Sequence, residues 1–279
     1  MTEQVDDQVE PSRAGGRAGP EAGAGLSTAD RDTTAWFVEH YKDAADQVID
    51  FFAGDNISLT GKDVADVGCG DGIIDLGVAH KAEPRSMVGF DIVPTDVAWL
   101  ERRARDEGVA DLPASLEFRT CEPRTLPAED DSFDFVITWS AFEHVEDPVA
   151  VFREIRRVLR PGGLLFLQIW PLYHSEHGAH LWQCIPDTFV QHLESAEEIE
   201  RRVRAAGTHP PEVIDDFLEV FATLNRVSLD DLQRAMLAAQ LRVGKLEIQS
   251  ECVHIPPQLA RRSLSLLGIS GVKLLAAPG

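Results

Sequence analysis

The chain predicts an α/β fold, a mostly parallel sheet with helices packed on both faces. Three observations carry this expectation. Apolar runs of strand length alternate with amphipathic segments of helix length between residues 33 and 170. Three glycines, Gly68, Gly70 and Gly72, follow one apolar run directly. An acid, Asp91, closes the next apolar run, 19 residues after Gly72. In sheets of this kind the crossovers are right-handed, and ligands bind off the carboxyl ends of the strands where the strand order reverses.

Each element follows from its pattern. TTAWFVEHYKDAADQVIDFFAG spaces its apolar residues at helical intervals and predicts a helix over 33–52, stopped by Gly54. DVADVGC reads as a short buried strand, and GIIDLGVAHKA as the helix that follows. SMVGFDIV is a second strand ending at Asp91. TDVAWLERRARDEG is a helix with Thr95 as its cap. ASLEFRTC and SFDFVITWS are the third and fourth strands. PVAVFREIRRVLRPGG is a helix stopped by Pro161 and two glycines, and LLFLQIW is a fifth strand. After Trp170 the pattern changes. Residues 171–226 are polar, helical and without clear strands, and read as an insertion lying over the strand ends as a lid. SLDDLQRAMLAAQLRVG resumes a capped amphipathic helix with Ser228 as the cap, and KLEIQSECVHI and GVKLLAAP read as two closing strands. Residues 1–30 are rich in Gly, Ala, Asp and Glu and almost free of large apolar side chains. They are expected to form a disordered acidic tail, which leaves 31–279 as the folded unit.

Composition narrows the function. Apolar residues make up 44% of the 279 positions, enough for a sizeable core. No apolar run approaches the roughly 18 residues that cross a bilayer. MTEQVDDQVE is acidic and polar and does not read as a secretory signal. The four cysteines are widely spaced, so free thiols in a cytoplasmic protein are the simplest reading. The net charge of −21 repels polyphosphates, so no nucleic-acid partner is expected.

Three glycines within five positions cost backbone entropy, and the usual reason is a ligand nearer the backbone than a side chain would allow. The spacing here is G-x-G-x-G, tighter than the dinucleotide fingerprint G-x-G-x-x-G, and Asp66 precedes it. An acid there sits badly beside a pyrophosphate and well beside an ammonium group. Asp91 suits a ribose diol, which a nicotinamide enzyme also needs. Asp66 and the tight spacing favour a ligand with adenosine at one end and an amino acid at the other.

DVGCGDG, GFDI, LPAEDDSFDFVITWSAFEHVEDP and REIRRVLRPGGLLFLQIW, taken in order, resemble the successive motifs of class I S-adenosylmethionine-dependent methyltransferases over about residues 60–170. The resemblance implies a Rossmann-like sheet of seven strands, the last antiparallel, with S-adenosylmethionine as cofactor. It places Gly68, Cys69 and Gly70 under the amino-acid end of the cofactor, with Asp66 beside them. Asp91 takes both ribose hydroxyls, Ile92 packs on the adenine, and Glu122 with Pro123 faces the adenine amino group. Many relatives carry Asp at the position of Glu122. Trp139 and Ser140 border the methionine portion, and the helix carrying Trp36, Phe37 and Tyr41 closes over the cofactor.

Methyl transfer to an alcohol benefits from a general base or from a metal that acidifies the hydroxyl. His144, with Glu143 beside it, lies just past the fourth strand and is the candidate base; a structural role in that loop is the other reading. Just past the fifth strand, PLYHSEHGAHLW places Tyr173, His174, Glu176, His177 and His180 as candidate acceptor-binding residues. Three readings of this set are open. His174, Glu176 and His177 hold a divalent metal such as Mg²⁺, the set hydrogen-bonds a polyhydroxylated acceptor, or it is a polar loop. The segment is similar to bacterial sugar O-methyltransferases, which implies a small-molecule or oligosaccharide acceptor with a carbohydrate hydroxyl favoured. A quinone or polyketide is the alternative acceptor, and a cofactor-binding module without catalysis is the alternative class. A homo-oligomer is compatible with all of these.

Overall fold

The structure, a computed structural model, describes residues 31–279. The expected acidic tail, 1–30, lies outside the described residues. The first helix starts as α1 (Thr34–Val38), passes through a π turn (Glu39–Ala44) and continues as α2 (Ala45–Ala53). There follow β1 (Asp63–Val67), α3 (Ile73–Ala82), β2 (Ser86–Asp91), α4 (Val97–Asp106), β3 (Leu116–Thr120) and β4 (Phe133–Trp139). A 3₁₀ turn (Phe142–His144) leads to α5 (Pro148–Val158) and β5 (Leu159–Ile169). The insertion holds α6 (Val190–Leu193), α7 (Ala196–Ala206) and α8 (Pro211–Thr223). The chain closes with α9 (Leu229–Ala238), β6 (Leu241–Gln249), α10 (Leu264–Gly268) and β7 (Gly271–Pro278).

The seven strands lie in the order β3-β2-β1-β4-β5-β7-β6. Strands β1 to β5 pair in parallel, and β7 is antiparallel to both of its neighbours. This is a Rossmann-like sheet, and its order reverses between β1 and β4. Alternation along each strand feeds two cores. Val64, Met87, Ile137 and Phe166 pack under α2 and α3, whereas Ala65, Val88, Val136 and Leu165 pack under α5 and α9. The insertion keeps a smaller core of its own, with Leu181, Ile185, Ile199, Val203, Ile214 and Phe217 buried together.

Two local expectations change. Asp96, not Thr95, caps α4, its side chain accepting from the Trp99 N–H. The Thr95 hydroxyl instead donates to Gly70 O at 3.0 Å and ties this loop to the glycine turn. The helix α5 ends at Val158, and β5 already begins at Leu159, because Leu159 pairs with Phe133 before an irregularity that lets Arg160–Gly163 pass. The Ser228 cap is as expected, completed by Asp231 in a capping box. No helix among the described residues is long and apolar enough to cross a membrane.

The first helix is locked to the sheet layer at one point. A Cβ on Gly77 of α3 would stand 2.3 Å from Tyr41 O and 2.7 Å from Ala45 Cβ. Alanine there gains about 1 kcal/mol of helix propensity, but the obstacle is backbone and cannot swing away. Overpacking costs about 1–3 kcal/mol, and against backbone that cannot yield it falls in the upper part of that range, about 2–3 kcal/mol. Gly77→Ala is therefore expected to lower the unfolding free energy by about 1–2 kcal/mol, measured by urea denaturation. Unchanged stability would show that the helices separate freely.

Candidate active site

A cleft of about 930 Å³ opens at the carboxyl ends of β1, β2 and β4, where the strand order reverses. The glycine turn forms its floor. Gly68 has φ +84°, and a Cβ there would stand 2.3 Å from the Ala141 methyl. Gly68 is thus required by the close approach of two loops of the protein itself. Gly70, with φ +53°, has nothing within 4 Å of a Cβ position, so it is the glycine that leaves room for a ligand. Its N–H donates to Asp91 Oδ2 at 2.9 Å, and the Val93 N–H donates to Asp91 Oδ1 at 2.9 Å. Each oxygen keeps a free lone pair toward a diol. Next to Asp91, Ile92 and Val93 are 58% and 64% exposed, apolar side chains left in the open at the cleft edge. Glu122 and Pro123 follow the end of β3, beside Asp91, and Trp139 and Ser140 form the wall past β4. The Ser140 hydroxyl donates to Gln168 Oε1 at 2.7 Å and is spent.

Asp66 is buried beneath this floor, and its Oδ1 meets no partner in the protein. Burial pushes its carboxyl up to about 7. Asp75 on α3 lies beside it, fully buried, with neither oxygen partnered by an N–H or O–H donor. Burial and the neighbouring Asp66 carboxylate raise Asp75 as well. Two carboxylates cannot accept from each other, so the pair is held by a shared proton or by a cation bound above it. Burial and the surrounding carboxylates push the Cys69 thiol far up, so it is not a nucleophile. Open backbone at Gly70 and an unpartnered buried carboxyl at Asp66 fit the amino-acid end of S-adenosylmethionine, and the Asp91 carboxylate with free lone pairs fits its ribose.

The first helix walls the cleft with Trp36 and His40, while Phe37 and Tyr41 join a core cluster. Trp36 Nε1 donates to Asp71 Oδ2 at 2.8 Å, and His40 Nδ1 meets Trp36 O at 2.8 Å. His40 and Asp71 are site residues that sequence reasoning missed. Their signal was the i, i+4 spacing of Trp36 and His40, which puts both on one helix face. Around the cleft stand eight carboxyl side chains against two guanidiniums, Arg31 and Arg124.

His144 lines the cleft on the β4 side. Its Nδ1 lies 3.0 Å from Thr223 Oγ1, and its Nε2 is buried without a protein partner. Burial lowers its pKa to about 4, so the ring is neutral. Glu143 turns away from the cleft. It is buried, both carboxyl oxygens lack partners, and burial pushes it up to about 8.

The expected convergence past β5 does not form. Tyr173, His174, Glu176, His177 and His180 do not line the cleft. His174 stacks on His192, with ring centroids 5.3 Å apart, and its Nε2 bonds Arg226 O at 3.1 Å. His180 is buried, with Nε2 3.3 Å from Pro171 O. His177 lies against Trp182. Among the described residues no three His, Cys, Asp or Glu side chains are placed to hold a metal. The reason is local: two of these imidazoles spend a nitrogen on backbone carbonyls, and the turn splays the rest. Only His180 approaches the candidate base, its ring 5.9 Å from that of His144.

Residues 65–167 match the family described as a methyltransferase domain. A ubiquinone biosynthesis O-methyltransferase of Pseudomonas fluorescens is 33% identical over 113 residues, which covers 40% of this chain and 46% of that protein. The chain thus spans less than half the length of the curated relatives it matches. Two solved structures share the fold. One is an S-adenosylmethionine-dependent methyltransferase from Aquifex aeolicus, with TM-score 0.52 and 15% identity over 90% of this chain and 96% of that one. The other is a geranyl diphosphate methyltransferase in complex with S-adenosylmethionine, with TM-score 0.53 and 15% identity over 92% and 98%. The family match runs from β1 to β5, the same stretch that builds the glycine floor, the Asp91 edge and the β4 wall. Residues 65–167 thus match a methyltransferase domain, and the chain shares its fold with S-adenosylmethionine-dependent methyltransferases.

Proposed function

We propose that the protein is an S-adenosylmethionine-dependent O-methyltransferase acting on a phenolic hydroxyl of a neutral small molecule. The observation that carries the reading is the His144 imidazole: neutral, lining the cleft, with a buried Nε2 that no protein group satisfies. When bound, the cofactor supplies a methyl group on a positively charged sulfur, open to direct displacement. Asp91 binds the ribose hydroxyls, Ile92 and Val93 cover the adenine, and Glu122 with Pro123 borders its amino group. Gly68, Cys69 and Gly70 run under the amino-acid end, where Asp66 meets the ammonium. Trp139 and Ser140 exclude water from the wall between cofactor and acceptor. His144 Nε2 accepts the hydroxyl proton of the acceptor.

The names of the relatives and the charge of the cleft bear on the acceptor class, and a neutral imidazole is compatible with it. An imidazole held near pKa 4 is a weak proton acceptor. It suits a phenol, with pKa about 10 as in tyrosine, better than an alkyl alcohol, which is a far weaker acid. The excess of carboxylates around the cleft disfavours an anionic acceptor. The names of the curated relatives support a quinol-like ring. A carbohydrate hydroxyl is disfavoured on both counts: it is an alkyl alcohol, and the aromatic and imidazole groups expected to hold a sugar lie off the cleft.

Asp91→Ala is expected to weaken S-adenosylmethionine binding by about 1.5–3 kcal/mol, measured by calorimetry. Binding of NADH in place of S-adenosylmethionine would overturn the reading. His144→Ala should lower kcat on a phenolic acceptor by about 10²–10⁴-fold and leave the cofactor Kd unchanged. Turnover of sugars with none of phenols would refute the acceptor class. Glu143 is expected to act on stability alone. Its raised pKa stabilises the fold fully below its ordinary value near 4.5, and that contribution is lost as pH rises through about 8. Glu143→Gln should therefore gain about 4–5 kcal/mol at pH 8.5 and nothing at pH 4, compared by chemical denaturation at the two pH values.

A further inference from the structure

We propose that Thr223, at the carboxyl end of the insertion helix α8, is a positioning residue that sets the tautomer of His144 and leaves Nε2 as the lone-pair face. The inference deepens the reading of His144 as the proton acceptor and rests on it for its catalytic consequence. Its structural part stands on hydrogen-bond bookkeeping. Thr223 Oγ1 lies 2.9 Å from Val220 O. A carbonyl oxygen only accepts, so the hydroxyl proton of Thr223 is spent there. The same oxygen lies 3.0 Å from His144 Nδ1 and can only accept in that second contact. The imidazole must supply the proton, which places it on Nδ1. A neutral ring carries one proton, so Nε2 is bare, and it is also the nitrogen without a protein partner.

The insertion grips the same turn at a second place. Asn225 Nδ2 donates to Phe142 O at 2.6 Å and to Val145 O at 2.8 Å, one on each side of His144. The Asn225 N–H donates to Glu143 O at 2.8 Å. The Asn225 Oδ1 accepts from the Val227 N–H at 3.1 Å, so the amide has one consistent orientation. The 3₁₀ turn is thus stitched to residues 223–225, and the ring is oriented at its outer nitrogen from the same segment. No other protonation pattern satisfies both contacts of the Thr223 hydroxyl. The nearest other imidazole, His180, has its Nε2 at 3.3 Å from Pro171 O and donates there. Its own proton is on Nε2, and it does not compete for Thr223.

Thr223→Val keeps the shape and removes the acceptor oxygen, whereas Thr223→Ser keeps the oxygen. Long-range ¹H–¹⁵N correlation spectra of the full chain, without acceptor or turnover, read the tautomer directly; the His144→Gln spectrum assigns the ring. The wild type and Thr223→Ser are expected to show a protonated Nδ1 and a bare Nε2 at His144, and Thr223→Val is expected to lose that pattern. In steady-state kinetics Thr223→Val should lower kcat by about tenfold or more, with the cofactor Kd unchanged, and Thr223→Ser should restore it. A wild-type ring protonated on Nε2 overturns the inference whatever the enzyme turns over. A Thr223→Val variant that keeps the wild-type tautomer overturns it too. Full turnover in His144→Ala refutes the general-base reading of His144 and not the tautomer assignment, so the two failures are told apart.

Discussion

The contact between Gly68 and the Ala141 methyl governs the geometry of the site. It brings the loops after β1 and β4 together at the place where the strand order reverses, and no side chain larger than hydrogen fits between them. With the two loops that close, the backbone at Gly70 faces open space, and His144 lines the same cleft. The rest is support. Thr95 and Asp91 hold the turn at Gly70 from the β2 side. Trp36 reaches Asp71 from the first helix, and that helix is held in turn by the tight seat of Gly77 against Tyr41 O.

The insertion works differently from a cover over the strand ends. It has its own core and contributes no residue to the cleft wall. Its hydrogen bonds to the site are made by Thr223 and Asn225, which bond the turn after β4, while His180 stands edge-on to His144. Helix α8 ends where those bonds are needed, so its length sets the register of the grip. The buried polar groups of the site divide along the same line. Those on the cofactor side, Asp66 and Asp75, lack donors and call for a cation or a proton. On the side proposed for the acceptor, His144 Nε2 has no protein partner.

The fold could be read from local pattern because parallel strands buried on both faces are continuous apolar runs, and each is followed here by a helix with its own start and stop signals. That Gly70, Asp91 and Ile92 line one cleft was equally readable, since they follow strand ends and a strand end fixes where its next residues point. The acceptor half was not. The histidines at 174, 177 and 180 look convergent as a string, yet their directions depend on a turn with no repeating geometry, and two spend a nitrogen on backbone carbonyls. Thr223 was invisible for the opposite reason. It lies 79 residues from His144, and nothing in a threonine at a helix end announces which imidazole it meets. The Thr95 cap failed on a choice between adjacent residues: Asp96 won the helix, which released Thr95 for Gly70.

Eight carboxyl groups facing two guanidiniums around one cleft make a local field in which ligand charge counts as much as ligand shape. On the proposed reaction, the sulfur that enters as a cation leaves as a neutral thioether. The spent cofactor has therefore lost one unit of attraction to the walls, while its other contacts are the same. On that reaction, a cleft of this sign holds fresh donor more tightly than used donor. The discrimination is electrostatic, so it weakens as ionic strength rises and the Debye length shrinks below the width of the cleft.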